Sequence, residues 1–404
     1  MRAEIIRGTA RGEVRAPGSK SIAHRLLIAA AMCDGGVSTV HGVTPSADIL
    51  ATADCLRALG AAVTSDGDTF TVVGTDMRKT APRDTLFCRE SGSTLRFIIP
   101  IATLSGARVH LSGAKRLMER PLSVYEELYS ERELLFKKIG DLLFVDGPLP
   151  SGEYVVPGNI SSQFISGLMF ALPTLEGDSV IKITPPFESS SYIKLTASAL
   201  AEFGITVEFV DELTIKIPGS QKYRPRHLTV EGDFSGAAFP DALNMLGSQV
   251  RVLGLSERSE QGDRVYRELY TKLACGTPEI NIEDCPDLAP ILFALAAYLN
   301  GATFHGTRRL RIKESDRASA MAEELAKLGA ELIIEDNTVV VKKTALHAPD
   351  VPISSHNDHR IVMAMAVLLT KFGGVIEGAE AVSKSYPDFF SDIASLGIEV
   401  KLYD

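Results

Sequence analysis

Ala302-Thr303-Phe304-His305-Gly306 is followed by a helical stretch Asp316–Leu328, then Gly329, then Glu331–Ile334, the turn Asp336-Asn337 and Val339–Val341. This succession decides the fold, because the chain repeats it. Ser38-Thr39-Val40-His41-Gly42 leads through Ala47–Leu59 and Gly60 to Val63 and the turn Asp66-Gly67-Asp68. Val180-Ile181-Lys182-Ile183 leads through Ser191–Phe203 and Gly204 to Thr206–Val210 and Leu213–Ile217. Another copy, Val375 to Leu402, repeats the helix with its Leu396-Gly397 ending. Apolar residues three and four apart, as in Leu195, Ala199, Leu200 and Phe203, predict helices. A glycine after the last of them predicts a left-handed cap. The alternation that follows predicts strands with one buried face. Such a unit is too small to cover its own apolar face, so the copies are expected to stack as α/β units around shared cores.

Working outward, 404 residues exceed what one core usually serves, and two domains are expected. Three helical stretches, Ser21–Cys33, Leu288–Leu299 and Arg360–Thr370, are apolar nearly all round and belong in domain interiors. The segment Pro121 to Pro150 breaks the pattern. It reads as a charged helix Tyr125–Lys138, then Gly140-Asp141, then a strand Leu142–Val145, with no Leu-Gly ending.

Composition narrows the function. With 45% hydrophobic and 23% charged residues the chain is globular, not disordered. A net charge of −9 argues against a nucleic-acid or anionic-membrane surface as the main partner. Any bound anion must therefore be served by cations gathered locally. The five cysteines, Cys33, Cys55, Cys88, Cys275 and Cys285, form no C-x-x-C pair and no zinc spacing; buried thiols in a reducing cytosol are expected. Met1-Arg2-Ala3-Glu4 lacks the apolar core of a signal peptide, and the longest apolar runs are too short to span a membrane, so a cytoplasmic location is expected.

Several motifs could carry chemistry. Ala16-Pro17-Gly18-Ser19-Lys20-Ser21 opens the helix that holds His24 and Arg25, and a capped helix start with free backbone donors suits an anion. It is not a P-loop, since Ser19 separates Gly18 from Lys20. Glu90-Ser91-Gly92-Ser93-Thr94-Leu95-Arg96 opens a second apolar helix, and Arg116 to Pro121 sets two arginines in a loop. Ser161-Ser162-Gln163 and Ser189-Ser190-Ser191-Tyr192 offer hydroxyls that could meet phosphate or sugar groups, or simply cap helices. Arg308 to Arg317 packs seven charges into ten positions at a strand-to-helix junction where the other copies are mostly neutral. Asp287 stands before an apolar helix, either as a cap or as a functional acid. Ser355-His356-Asn357-Asp358-His359-Arg360 opens another, and Lys384-Ser385-Tyr386-Pro387-Asp388 closes the series. The His-Asn-Asp-His spacing is not that of a zincin and has no third ligand nearby, so no metal is expected.

Taken in this order, from Gly18 to Asp388, these motifs resemble the 5-enolpyruvylshikimate-3-phosphate synthase family. Each is weak alone; the ordered set is specific. The resemblance implies an inside-out α/β barrel-like fold of two domains, each of three βαβαββ units. One domain would span 20–230 and the other 1–19 with 231–404, with the active site in the cleft between them. It implies transfer of the enolpyruvyl group of phosphoenolpyruvate to the 5-hydroxyl of shikimate 3-phosphate, with release of phosphate, on the route to chorismate and the aromatic amino acids. It implies a monomer and a glyphosate target, with no cofactor, no metal and no partner beyond these small molecules.

Position by position, the resemblance makes Lys20, Ser21, Arg25, Ser161, Ser162, Gln163, Ser189, Tyr192, Asp287, Arg309 and Lys313 shikimate-phosphate ligands. Lys20, Gly92, Arg120, Gln163, Arg317, His359, Arg360 and Lys384 become phosphoenolpyruvate ligands. Lys20, Asp287 and Glu314 become catalytic. The residue types suit two polyanions, since guanidinium forks match phosphate and carboxylate oxygens in pairs. The methylene of the enol ether must gain and later lose a proton, a task assigned to Glu314. Asp287 would take the proton of the attacking hydroxyl, and Lys20 would stabilise the departing phosphate.

Four positions depart from the family's pattern. Glu90 stands where Asn is usual, and is expected to turn away, pair with a cation or carry a proton. Arg309 stands where Asn often touches the shikimate phosphate, and Ser190-Ser191 replaces the commoner Lys-Pro. Two rival readings ask for residues that this sequence lacks. A UDP-N-acetylglucosamine enolpyruvyl transferase would carry a reactive cysteine near Ala107 to Arg120, where none occurs. A non-catalytic RNA-binding α/β repeat protein would call for an aromatic-basic stripe that is missing.

Overall fold

The computed structural model describes residues 1–82 and 84–404. Two compact units form: Lys20–Val230, and Met1–Ser19 together with Glu231–Asp404. Each has its own apolar core.

Among the described residues there are five four-stranded sheets and one two-stranded sheet, and the five share one plan. In the sheet built on Val37–His41, His227–Thr229 lies parallel to that strand on one side, and Thr69–Val73 lies antiparallel on the other. Ala62–Asp66, the hairpin mate of Thr69–Val73, forms the edge. The repeat read in the sequence is thus strand, helix and hairpin, with the second hairpin strand folding back beside the first strand. In the copy at Gly374–Glu377 the adjoining strand is Arg2–Ile5 from the chain's start, which pairs with Val400–Tyr403 at the edge.

The sixth copy is cut short. Gln249–Leu253 pairs only with Arg11–Arg15, and the helix Tyr266–Cys275 passes through Gly276 straight into Glu279–Asn281, a strand of the next sheet. No hairpin follows this helix.

The apolar helices lie where their composition predicts. We label α1 Lys20–Ala31, α2 Ala47–Ala58 and α3 Gly92–Ala102. Every residue of Ser162–Ala171 except Gln163 is buried, as is every residue of Ala289–Tyr298 except Tyr298. With helices apolar all round and strands alternating, the helices supply the interior of each unit. None of the described helices is long and apolar enough to cross a membrane.

Two expectations need correcting. The charged helix Tyr125–Lys138 is in fact Ser123–Ser130, followed by a strand Phe136–Ile139 paired antiparallel with Leu142–Val145 around Gly140, whose φ is 61°. The helix ends because Glu133 turns left-handed at φ 55° and the run Leu134-Leu135-Phe136 has no helical spacing. The segment is therefore a further copy of the repeat, hidden by its lysines and glutamates. Cys275 is exposed at the end of its helix, unlike Cys33, Cys55, Cys88 and Cys285, because it precedes Gly276 where the missing hairpin leaves the helix end uncovered.

Candidate active site

Within Lys20–Val230 the candidate ligands gather on helix starts. Pro17-Gly18-Ser19 ends the preceding segment and α1 begins at Lys20, whose Nζ donates to Asp48 Oδ2 of α2 at 2.8 Å. One turn on, the Arg25 guanidinium is 3% exposed and donates to Thr196 Oγ1 (2.8 Å), the Ser21 carbonyl (2.7 Å) and the Tyr192 carbonyl (2.9 Å). It also lies over the Phe97 ring at 5.1 Å. Among the described residues no carboxylate pairs with it, and burial lowers its pKa to about 10. A buried cation held only by neutral acceptors is costly by itself and favours an incoming anion.

Gln163 is oriented from both ends. Its Oε1 accepts from Arg96 Nη1 at 2.8 Å, and its Nε2 donates to Ser93 Oγ at 2.9 Å. Ser161 is an ordinary N-cap, accepting from the Gln163 N–H at 3.3 Å, and Ser162 is buried in the first turn. Ser189 precedes the helix Ser190–Glu202 in a left-handed conformation, φ 58°, with Tyr192 three residues on. Gly92 opens α3 behind the N-cap Ser91, and Arg120 lies against it: a Cβ on Gly92 would stand 2.6 Å from Arg120 Nη1. Glu90, half-buried, precedes that cap, where the positive end of the helix dipole eases a carboxylate.

In the other unit the charged run divides by side. Arg308 and Arg311 face solvent and pair with Asp336 at 2.5 and 3.4 Å. Lys313, Glu314 and Arg317 turn inward. Asp287 does not cap its helix. Its Oδ1 accepts from Arg317 Nη1 (2.7 Å) and Lys313 Nζ (3.2 Å), and its Oδ2 from Arg360 Nη2 (2.9 Å). Arg317, 1% exposed, also donates to Glu314 Oε2 and through Nε to Asp358 Oδ2, both at 2.8 Å. Asp358 is itself fully buried, accepts from Ser315 Oγ at 3.1 Å, and caps the helix His359–Phe372 through the Arg360 N–H at 2.9 Å.

The remaining candidates adjoin this cluster. Arg309 Nη2 donates to the Glu283 carbonyl at 2.7 Å and Lys384 Nζ to the Asn357 carbonyl at 2.6 Å, while His359 Nδ1 is 3.9 Å from Asp358 Oδ1. His356 and Asn357, at φ 48° and 53°, make the double left-handed turn that brings Asp358 to the helix start.

The electrostatics follow. Burial alone would push Asp287 up, but Arg360, Lys313 and Arg317 together outweigh it and hold this carboxyl well below the ordinary range. Lys313 is lowered by burial, and Asp287 opposes that. Nearby Asp263, on the turn Gly262–Val265, is pushed up to about 7, first by burial and next by the Asp287 charge, against the pull of Arg360. Its folded pKa thus lies above the usual carboxylate value near 3.9, so the native state gains stability as pH falls through 7 and is penalised above it. Asp263→Asn should therefore raise Tm more at pH 8 than at pH 5 in thermal melts; an equal change at both would contradict the shift.

Sequence reasoning passed over the partners that aim these groups: Asp48 for Lys20, Arg96 and Ser93 for Gln163, and Asp358 for Arg317. Asp358 was visible as an acid inside a motif, but nothing in the sequence couples it to a residue 41 positions away.

A family model described as EPSP synthase (3-phosphoshikimate 1-carboxyvinyltransferase) matches residues 6–393. A relative from Clostridium kluyveri named 3-phosphoshikimate 1-carboxyvinyltransferase is 39% identical over 411 residues, covering 96% of each chain. One of the same name from Clostridium novyi is 39% identical over 425 residues, covering 98% of this chain and 97% of its own. Among solved structures, an EPSP synthase from Acinetobacter baumannii matches with TM-score 0.78 at 21% identity, covering 100% of both chains. The enolpyruvyl transferase NikO from Streptomyces tendae matches with TM-score 0.75 at 15% identity, covering 99% of this chain and 98% of its own. At those identities the two structures bear on the fold alone.

Proposed function

This chain belongs to the EPSP synthase family, and from that premise we propose that it transfers the enolpyruvyl group of phosphoenolpyruvate to the 5-hydroxyl of shikimate 3-phosphate, releasing phosphate. The observation that carries the residue assignments is the convergence of Lys313, Arg317 and Arg360 on Asp287, with Glu314 on the same arginine. Arg317 reaches Asp358 as well, so three carboxyl groups share this one guanidinium, and the cations of the cluster can exchange such internal partners for substrate anions.

In this reading Arg317, Arg360, Lys384, Arg120 and Gln163 hold phosphoenolpyruvate, with His359 beside them. Arg25, Ser21, Ser161, Ser162, Ser189, Tyr192, Arg309 and Lys313 hold shikimate 3-phosphate. The buried Arg25, which pairs with no carboxylate among the described residues, suits a phosphate. Once substrate anions draw on Arg317 and Arg360, their pull on Asp287 weakens and it becomes a better base. Asp287 then takes the proton of the 5-hydroxyl as its oxygen bonds to C2 of phosphoenolpyruvate, while Glu314, which has taken a proton from solvent once substrate anions draw Arg317 away from it, gives that proton to C3. In the elimination Glu314 takes a proton back from C3, the C2–O bond to phosphate breaks, and phosphate leaves with the proton held by Asp287. Lys20 stabilises the charge on that leaving group.

Gly92 tests the phosphoenolpyruvate assignment. In Gly92→Ala the new methyl would meet the Arg120 guanidinium, the far end of a flexible side chain, so the arginine shifts while the helix start stays. Losing one charge-assisted contact is worth about 1.5–3 kcal/mol, roughly 10- to 100-fold in the KM for phosphoenolpyruvate. The Tm should change little. A KM equal to wild type would remove Gly92 and Arg120 from the assignment.

The function itself is tested by offering phosphoenolpyruvate with either shikimate 3-phosphate or UDP-N-acetylglucosamine and weighing the products. Only the first acceptor should gain the enolpyruvyl mass; a gain on the nucleotide sugar would reverse the choice between the two transferases.

A further inference from the structure

Behind the candidate ligands of Lys20–Val230, a chain of buried polar groups ties three helices together. His24 Nδ1 meets Thr52 Oγ1 at 2.8 Å, and Thr52 Oγ1 meets Thr94 Oγ1 at 2.7 Å. Thr94 Oγ1 is 2.8 Å from Ser91 Oγ, the N-cap of α3, and 3.4 Å from the Asp48 carbonyl. Asp48 in turn holds Lys20 through its side chain, and Lys20 and His24 sit one turn apart on α1. The circuit closes: α1 to α2 by Lys20–Asp48, α2 to α3 by Thr52–Thr94, and α1 to α2 again by His24–Thr52. His24, Thr52 and Thr94 are all 0% exposed.

Stability does not explain these residue types. Hydrogen bonds among buried hydroxyls return about what their desolvation costs, and apolar residues of the same shape would fill the space as well. What the hydroxyls add is register, because each bond is satisfied at only one setting of the helices. Among the described residues the ring of His24 has no second tether, since its buried Nε2 meets no hydrogen-bond partner there. Burial first, then Lys20 and Arg25, keep the ring far below its ordinary pKa, so it stays neutral and adds no charge beside them. The chain also ends on the two residues that bracket Gly92: Ser91 before it and Thr94 two positions after.

We propose that His24, Thr52 and Thr94 are positioning residues that hold the Lys20 ammonium and the Gly92 turn in the register phosphoenolpyruvate requires. The proposal deepens the functional reading above and rests on it. None of the three touches substrate; they act through Asp48 on Lys20 and through Ser91 on the start of α3.

Thr52→Val keeps the side-chain shape and removes both of its bonds. Its KM for phosphoenolpyruvate should rise at least tenfold, and that for shikimate 3-phosphate less than threefold. Thr52→Ser, which keeps the hydroxyl, should return to wild type. Thr94→Val cuts the same chain, so the double variant should be no worse than the poorer single one. A lower Tm with both KM values unchanged, or effects that multiply in the double variant, would make the chain merely structural and overturn the proposal. A measurement on the wild-type protein needs no variant: imidazole 15N shifts of His24 should move when phosphoenolpyruvate saturates the protein and draws Lys20 from Asp48. Shifts that stay fixed would equally overturn it. Wild-type turnover is the control that separates the two claims, since its absence removes the functional reading, whereas normal turnover with an inert Thr52→Val removes only the positioning chain.

Discussion

Arg317→Ala should destabilise its unit by about 3–5 kcal/mol, the usual result of removing one partner from a buried ion pair. The number rests on what is left behind. Arg317 serves Asp287, Glu314 and Asp358 at once, and Asp358 is fully buried, so its Nε partner would have to be replaced by water or a proton. Asp358 also caps the helix His359–Phe372, so strain there would spread to Arg360. Arg317→Lys should recover little, because one ammonium cannot span three carboxylates that a planar fork reaches together. Chemical denaturation measures the loss. An Arg317→Ala protein as stable as wild type would mean that the cluster relaxes in a way its geometry does not suggest. Turnover should vanish in both variants.

Glu314→Gln should have the largest effect on chemistry with the least on structure. The Gln side chain keeps an oxygen for Arg317 Nη2, which lies 2.8 Å from Glu314 Oε2, so the pocket keeps its shape. What is lost is the exchangeable proton that the methylene must receive and return. General acid–base catalysis contributes about 10²- to 10⁴-fold, so kcat should fall by that order. Affinity for both substrates, measured by calorimetry, should stay within a few-fold. Unchanged turnover would remove Glu314 from its role and shift attention to Asp287.

Leu-Gly and Phe-Gly endings at Leu59, Phe203, Leu328 and Leu396 mark copies of one unit; the first three became strand–helix–hairpin, and in the last Arg2–Ile5 takes the place of the second hairpin strand. The copy at Val109–Val145 escaped because its charged residues imitate a solvated helix, and only pairing with Leu142–Val145 makes Phe136–Ile139 a strand. The shortened copy at Gln249–Cys275 was equally invisible, since a missing hairpin leaves no residues to read. The inward cations were legible as an anomaly, a charged run where other copies are neutral, though not their division: Arg308 and Arg311 look no different in sequence from Arg309 and Arg317. The links His24–Thr52–Thr94 and Arg317–Asp358 join residues 28 to 42 positions apart, and no local pattern announces such contacts.

The most direct test of the central claim is inorganic phosphate released from phosphoenolpyruvate by the purified protein, with and without shikimate 3-phosphate. Release should appear with both substrates, one phosphate for each enolpyruvyl group gained by the acceptor, and be negligible with phosphoenolpyruvate alone. No release with both present, or equal release without the acceptor, would contradict the account.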